Sequence, residues 1–120
     1  MINVIPMTQD YIDDVAAIDE NCFHVPWTRS DFEKEIKENN MAIYYVAVND
    51  DGRAVGYAGM WHVVNEGHIT NVAVLEEYRR EGIGDMLMEA LEKRALELEM
   101  IGITLEVRIS NYGAQKLYTK

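Results

Sequence analysis

The stretch VAVLEEYRREGIGDMLMEALEKRALE, residues 72–97, decides how the rest of the chain is read. It opens as a β-rich run, passes through RREGIG at 79–84, and continues as the strongest helical pattern in the sequence. Ile83, Leu87, Leu91, Ala95 and Leu98 recur at helical spacing, with Met86 and Ala90 widening the stripe, which predicts an amphipathic helix from Gly82 to about Met100. Gly102 is expected to end that helix. ITLEVRI then reads as a strand, so continuously apolar that burial on both faces is expected. A strand–helix–strand unit of this kind requires parallel strands and a right-handed crossover.

Working outward, MAIYYVAV, RAVGYAGMWHVV and EGHITNVAV read as three strands, the first two joined by the turn signal NDDG, and they predict an antiparallel meander. MINVIPM alternates as a first strand. TQDYIDDVAAIDENCF follows as a helix with Thr8 as its cap and Ile12, Val15, Ala16 and Asp19 turning at helical spacing. HVPWT breaks it at Pro26, and SDFEKEIKEN restarts a helix with Ser30 and Glu33 at capping-box spacing. SNYGAQKLYTK begins a last helix, capped by Ser110 or Asn111. The expected architecture is an α/β (α+β) mixed sheet, an antiparallel meander plus a parallel strand–helix–strand unit, in one domain over residues 1–120.

Bulk composition narrows the function classes. The net charge of −10 argues against nucleic acid as a partner, because phosphate binding requires a basic face. It suits a cationic peptide or a polyamine, and a merely solvated acidic surface accounts for it equally well. Cys22 stands alone, which fits a reducing compartment; it is a core residue or, less simply, a nucleophile. No apolar run approaches 18 residues and no signal pattern opens the chain, so a cytoplasmic protein without membrane contact is expected. His24, His62 and His68 lack clustered ligand spacing, and no metal is expected.

RREGIG admits several readings. A dinucleotide fingerprint needs a third glycine where Leu87 stands, and a P-loop needs the Gly-Lys-Ser/Thr that is absent. What remains is Arg-x-x-Gly-x-Gly at a helix start, where backbone N–H groups converge, the helix dipole favours an anion, and glycine lets the backbone approach it. Arginine adds a charge suited to phosphate. The plainer alternative is a tight strand-to-helix turn with solvated arginines.

Context favours the anion. NVAVLEEYRREGIGDMLM resembles the strand, Arg/Gln-x-x-Gly-x-Gly/Ala loop and helix of the GCN5-related N-acetyltransferase (GNAT) superfamily, and LEVRISNYGAQKLYTK resembles a second segment of it. With VPWT near the start, the combination is similar to the ribosomal-protein-alanine N-acetyltransferases. The resemblance implies acetyl-CoA as co-substrate and the N-terminal α-amine of a protein, such as a ribosomal protein, as acceptor. It implies that Val72, Ala73 and Val74 pair with the pantetheine arm like an added strand. It implies that Arg79, Arg80, Glu81, Gly82, Ile83, Gly84 and Asp85 enclose the pyrophosphate, and that Asn111 bonds the coenzyme arm. Glu106 becomes the general base and Tyr118 the general acid. On the residues alone, Glu106 could equally be an ion-pair partner of Arg108, and Tyr118 a core ring.

An α-amine titrates near 7.7–8.0 against about 10.4 for lysine, so a carboxylate in an apolar strand is base enough to free it. Desolvation within ITLEVRI would raise the carboxyl pKa toward that task. A backbone N–H near Val74 would hold the oxyanion. The acceptor peptide would enter on the face bordered by FHVPWT, where Trp27 is either a peptide-contacting ring or a plug between the first two helices. The family pattern continues past the point reached at Lys120 with two further strands. Their absence would leave strand 103–109 as an exposed edge, which a homodimer could complete. Small-molecule amine acetylation, of polyamines or aminoglycosides, and an idle coenzyme-binding module are the alternatives.

Overall fold

The computed structural model describes residues 1–105. The elements run β1 (Asn3–Pro6), a short 3-10 turn (Gln9–Tyr11), α1 (Ile12–Cys22), α2 (Arg29–Glu38), β2 (Ala42–Val48), β3 (Ala54–Val63) and β4 (Glu66–Val74). A second 3-10 turn (Glu76–Tyr78), α3 (Ile83–Glu97) and β5 (Gly102–Leu105) complete them. The sheet order is β1-β2-β3-β4-β5, antiparallel through β4 and parallel between β4 and β5, with Glu66 opposite Gly102 and Ile69 opposite Leu105. The meander and the parallel strand–helix–strand unit are therefore both present.

Cross-strand register sorts the side chains into two layers. Tyr57 is opposite Val46 and Ala73, and Gly59 opposite Tyr44 and Asn71; this face meets α1 and α2. Gly56 and Val74 lie on the other face, where a Cβ at Gly56 would stand 3.4 Å from the Ile83 side chain of α3. Ile83, Leu87, Leu91 and Ala95 are buried as the periodicity predicts, each large one contributing roughly 1.5–3 kcal/mol by leaving water. α1 buries Ile12, Val15, Ile18, Asp19 and Cys22, and Phe32 of α2 sits edge-on to Tyr57 with ring centroids 5.5 Å apart.

Four local expectations need correction. α3 stops at Glu97 rather than near Met100, because Glu99 takes a left-handed φ of 58°. That turn lets the N–H of Met100 reach the Ala95 carbonyl (2.9 Å) and the N–H of Glu99 reach Leu96 (3.1 Å), a Schellman closure made without glycine. Gly102 instead opens β5. Thr8 makes no side-chain cap, and α1 begins only at Ile12 after the 3-10 turn. The capping box of α2 is Thr28 with Asp31 rather than Ser30 with Glu33. The Thr28 hydroxyl accepts from the Asp31 N–H at 3.1 Å, and the Asp31 carboxylate accepts from the Thr28 N–H at 2.9 Å. Last, the described part of β5 is exposed, Ile103 at 37% and Leu105 at 48%: among the described strands it pairs only with β4, at the end of the sheet, while α3 packs chiefly on β2, β3 and β4.

Candidate functional site

β4 is the strand on which the site is built. Its register against β3 slips between Gly59 and Met60, which face Asn71 and Ile69 respectively, so Thr70 is the extra residue of a β-bulge. Beyond the bulge the alternation of antiparallel hydrogen bonding assigns each backbone group a direction. The Leu75 N–H donates to the Val55 carbonyl at 2.9 Å. Counting back from that pair, Ala73 turns its N–H and carbonyl to β3, and Val72 and Val74 turn theirs away from it. Among the described residues β5 pairs with β4 only from Glu66 to Ile69. Val72 and the N–H of Val74 thus face outward past the end of that described pairing. Of residues 72–74, Val72 and Val74 have N–H groups that are not taken up by β3.

Just after β4 the chain forms a cradle. Arg80 has φ of 66° and Gly82 φ of 80°, two left-handed residues with Glu81 between them, and α3 starts at the next position. Gly82 is the N-cap and supplies no side chain to the helix end. Helix geometry leaves the first N–H groups without intrahelical acceptors, so those of Ile83 and Gly84 emerge at this end with the positive pole of the dipole. A Cβ at Gly82 would meet nothing within 4 Å, so the left-handed backbone rather than crowding favours glycine there. Asp85 lies in the first turn, and Arg80, Glu81 and Gly82 are exposed.

Arg79 behaves differently from its neighbour. Its Nε donates to the Val74 carbonyl at 3.0 Å and its Nη2 to Cys22 Sγ at 3.4 Å. The guanidinium clamps the end of β4 to the end of α1, which fixes where the cradle stands relative to the strand. Cys22 is buried, with its thiol 3.5 Å from the same Val74 carbonyl. Its surroundings are those of a core residue.

The other face carries a polar chain that sequence periodicity only hinted at. Asp19, fully buried in α1, accepts from the Trp27 backbone N–H at 2.8 Å and, through its other oxygen, from the Tyr57 hydroxyl. The same hydroxyl accepts from Asn71 Nδ2 at 3.2 Å. One line of contacts therefore joins the α1–α2 corner to the bulge of β4. The signal in the sequence was Asp19 itself, a carboxylate at helical spacing among apolar residues, which can be buried only with partners. Trp27 is fixed at that corner, its ring 5.2 Å from Phe32, as the plug reading expects. Its rim still lines an open groove with Asp31, Lys34, Glu35, Glu38, Asn39 and Met41. There Glu35 accepts from Tyr44 (2.9 Å), Trp61 Nε1 (2.6 Å) and Asn39 (3.1 Å), pinning α2 to the sheet.

The outward backbone groups of Val72 and Val74 thus lie on the strand that leads into residues 79–85, with the Val74 and Ile83 side chains both beside Gly56, while Ala73 faces β3. Glu106, Asn111 and Tyr118 lie outside the described residues. No group of three or more His, Cys, Asp or Glu residues able to hold a metal occurs among the described residues, and no helix there is long and apolar enough to cross a membrane.

Known proteins carry the same pattern. The model of the acetyltransferase (GNAT) family matches residues 12–120. A putative ribosomal-protein-alanine N-acetyltransferase of Bacillus subtilis is 38% identical over 114 residues, covering 95% of this chain and 75% of that protein. An N-alpha-acetyltransferase of Saccharolobus solfataricus is 38% identical over 102 residues, covering 74% of this chain and 60% of its own length. The crystal structure of the ribosomal-protein-alanine N-acetyltransferase of Escherichia coli superposes with a TM-score of 0.83 at 24% identity, covering 99% of this chain and 75% of that one, a likeness of fold. Sheet topology, glycine cradle and relatives agree, and the chain belongs to the acetyltransferase (GNAT) family of N-acetyltransferases.

Proposed function

We propose that this chain transfers the acetyl group of acetyl-CoA to the N-terminal α-amine of a protein, a ribosomal protein being the acceptor named for its B. subtilis relative. The observation that carries the reading is the continuity of one edge. The outward backbone groups of Val72 and Val74 lead directly into the left-handed turns at Arg80 and Gly82 and the open N-terminus of α3. An amide-bearing arm ending in a pyrophosphate matches that order of donors, strand first and helix end second. In this reading the N–H groups around Gly82, Ile83 and Gly84 hold the pyrophosphate, Arg80 adds charge from the exposed loop, and Arg79 holds the strand end in register with the cradle. The residues present fit the group.

Binding thioester and amine side by side supplies much of the acceleration. Glu106 takes the proton of the amine, Tyr118 returns one to the leaving thiol, and Asn111 holds the coenzyme arm; these roles rest on the family resemblance. A base is needed because the amine is mostly protonated near neutrality, by about one pKa unit, and because its nitrogen must give up a further proton after it has attacked the thioester. A cytoplasmic site of action suits both the acceptor and the lone cysteine.

The test is isothermal calorimetry with acetyl-CoA followed by a thiol-release assay over a panel of N-terminal peptides and polyamines. Binding with peptide turnover supports the proposal. Turnover with polyamines alone transfers the reading to small-molecule acetylation, and binding without turnover on either panel transfers it to an idle coenzyme-binding module.

A further inference from the structure

Among the described residues, two buried polar atoms at the β4 bulge have no hydrogen-bond partner: Thr70 Oγ1 and Asn71 Oδ1. Asn71 is 1% exposed, and an acceptor left bare at such a place costs about 1–3 kcal/mol. The orientation of its amide is not arbitrary. The Tyr57 hydroxyl gives its only proton to Asp19, so it can meet Asn71 only as an acceptor, and Asn71 must present its NH2 to it. Asp19 is in turn held by the Trp27 N–H. The chain of contacts from the α1–α2 corner therefore sets the amide with its carbonyl oxygen directed away from Tyr57.

Direction along β4 says what comes to that oxygen. This step rests on the acetyl-CoA reading above. A pyrophosphate held at residues 80–85, with its arm paired first to Val74 and then to Val72, runs toward lower residue numbers. Its thiol end arrives at Thr70 and Asn71, where the strand bulges. The side chain of Asn71 belongs to the α1–α2 face, the face of the Trp27 groove, opposite the face packed by α3. An amine that attacks the thioester from that side approaches with N–H bonds that need acceptors and a lone pair that needs aiming.

We infer that Asn71 is a substrate-contacting residue, whose Oδ1 accepts an N–H of the attacking amine and turns the nitrogen lone pair toward the thioester carbonyl, with Asp19 and Tyr57 acting through it as positioning residues. No bond is made or broken at Asn71. It accepts one hydrogen bond and leaves the proton transfers to other groups.

The experiment compares wild type with Asn71→Leu, which keeps the shape and removes the acceptor, and Asn71→Ser, which restores a smaller one. Steady-state turnover is measured with the best peptide of the panel, and acetyl-CoA affinity by calorimetry. Loss of one such bond lowers peptide kcat/KM about tenfold in Asn71→Leu. Acetyl-CoA affinity stays at the wild-type value, and Asn71→Ser recovers part of the loss. A structural role alone would weaken acetyl-CoA binding and thermal stability together without any recovery by serine, and that pattern overturns the inference. So does an unchanged peptide kcat/KM in Asn71→Leu, which means that water satisfies the oxygen. Should Asn71→Leu not fold, Asn71→Ser alone decides, since it must still show a peptide-specific loss. A wild-type chain that binds acetyl-CoA yet acetylates no peptide removes the acceptor reading and this inference with it. Turnover by wild type with no peptide-specific effect at Asn71 removes the inference only.

Discussion

The outer edge of β4 and its α1–α2 face are built on different principles. Along that edge and the loop that follows it, the groups on offer are main-chain: outward N–H groups of Val72 and Val74, left-handed turns at Arg80 and Gly82, and a helix N-terminus. On the α1–α2 face the polar contacts are made by side chains far apart in sequence, Asp19 with the Trp27 N–H and Tyr57, and Glu35 with Tyr44 and Trp61. A pyrophosphate is the same in every coenzyme molecule, so a main-chain cradle tolerates much change in side chain. An acceptor differs from protein to protein, and side chains are what can be altered to suit it.

That contrast breaks first at the chemistry. Glu106→Gln should lower turnover by about 10²–10⁴-fold, the usual contribution of a positioned general base, with acetyl-CoA affinity unchanged by calorimetry. If binding fell in parallel, the edge and the face would not be separable. The next effect is on stability. Asp19→Ala strips the buried Tyr57 hydroxyl and the Trp27 N–H of their acceptor and leaves a cavity under α1, which should cost about 2–4 kcal/mol in urea unfolding. The loss should be similar with and without acetyl-CoA, since Asp19 sits on the far face. A loss that saturating acetyl-CoA enlarges would place Asp19 on the coenzyme side instead, because a variant that binds the coenzyme more weakly gains less from it.

The same contrast explains what could be read from the residues and what could not. The apolar stripe of α3 and the strands of the meander are set by local periodicity, and they stand where periodicity puts them. The cradle was legible because glycine at left-handed φ is a backbone requirement that leaves a mark in sequence. For Arg79, a charge beside such a loop suggests phosphate, and only the fold shows its guanidinium on Val74 and Cys22. The chain from Asp19 to Asn71 spans three elements, so no window of sequence contains it. The burial expected of β5 on both faces failed for a related reason, since an apolar run shows that a strand can be buried without showing what covers it.

A smaller effect tests the main-chain side. Gly82→Ala adds a methyl that meets nothing within 4 Å, so any loss arises from forcing an alanine to hold φ near 80°. That strain is about 1–2 kcal/mol, and if the turn relaxes to relieve it, acetyl-CoA affinity falls roughly five- to thirtyfold. Gly82→Pro, which cannot adopt positive φ at all, should abolish uptake. Uptake retained by the proline variant would detach the cradle from the coenzyme.

The smallest effect concerns how the α1–α2 face is held in place. α2 carries Glu35 and Phe32, and its start follows directly on Trp27, so the cap at its N-terminus fixes the corner to which Asp19 is bonded. Two hydroxyls compete for the role. Thr28 is outside the helix with extended backbone and makes the reciprocal bonds with Asp31, whereas Ser30 is already inside the first turn. Thr28→Ala should therefore cost about 1 kcal/mol, with Ser30→Ala within about 0.5 kcal/mol of wild type. Equal losses at the two positions would mean that the corner is held by the Trp27–Asp19 bond and the Trp27–Phe32 packing instead of by the cap. In that case Thr28→Ala would leave peptide turnover untouched, whereas a helix start that loosens should raise peptide KM before it alters acetyl-CoA affinity.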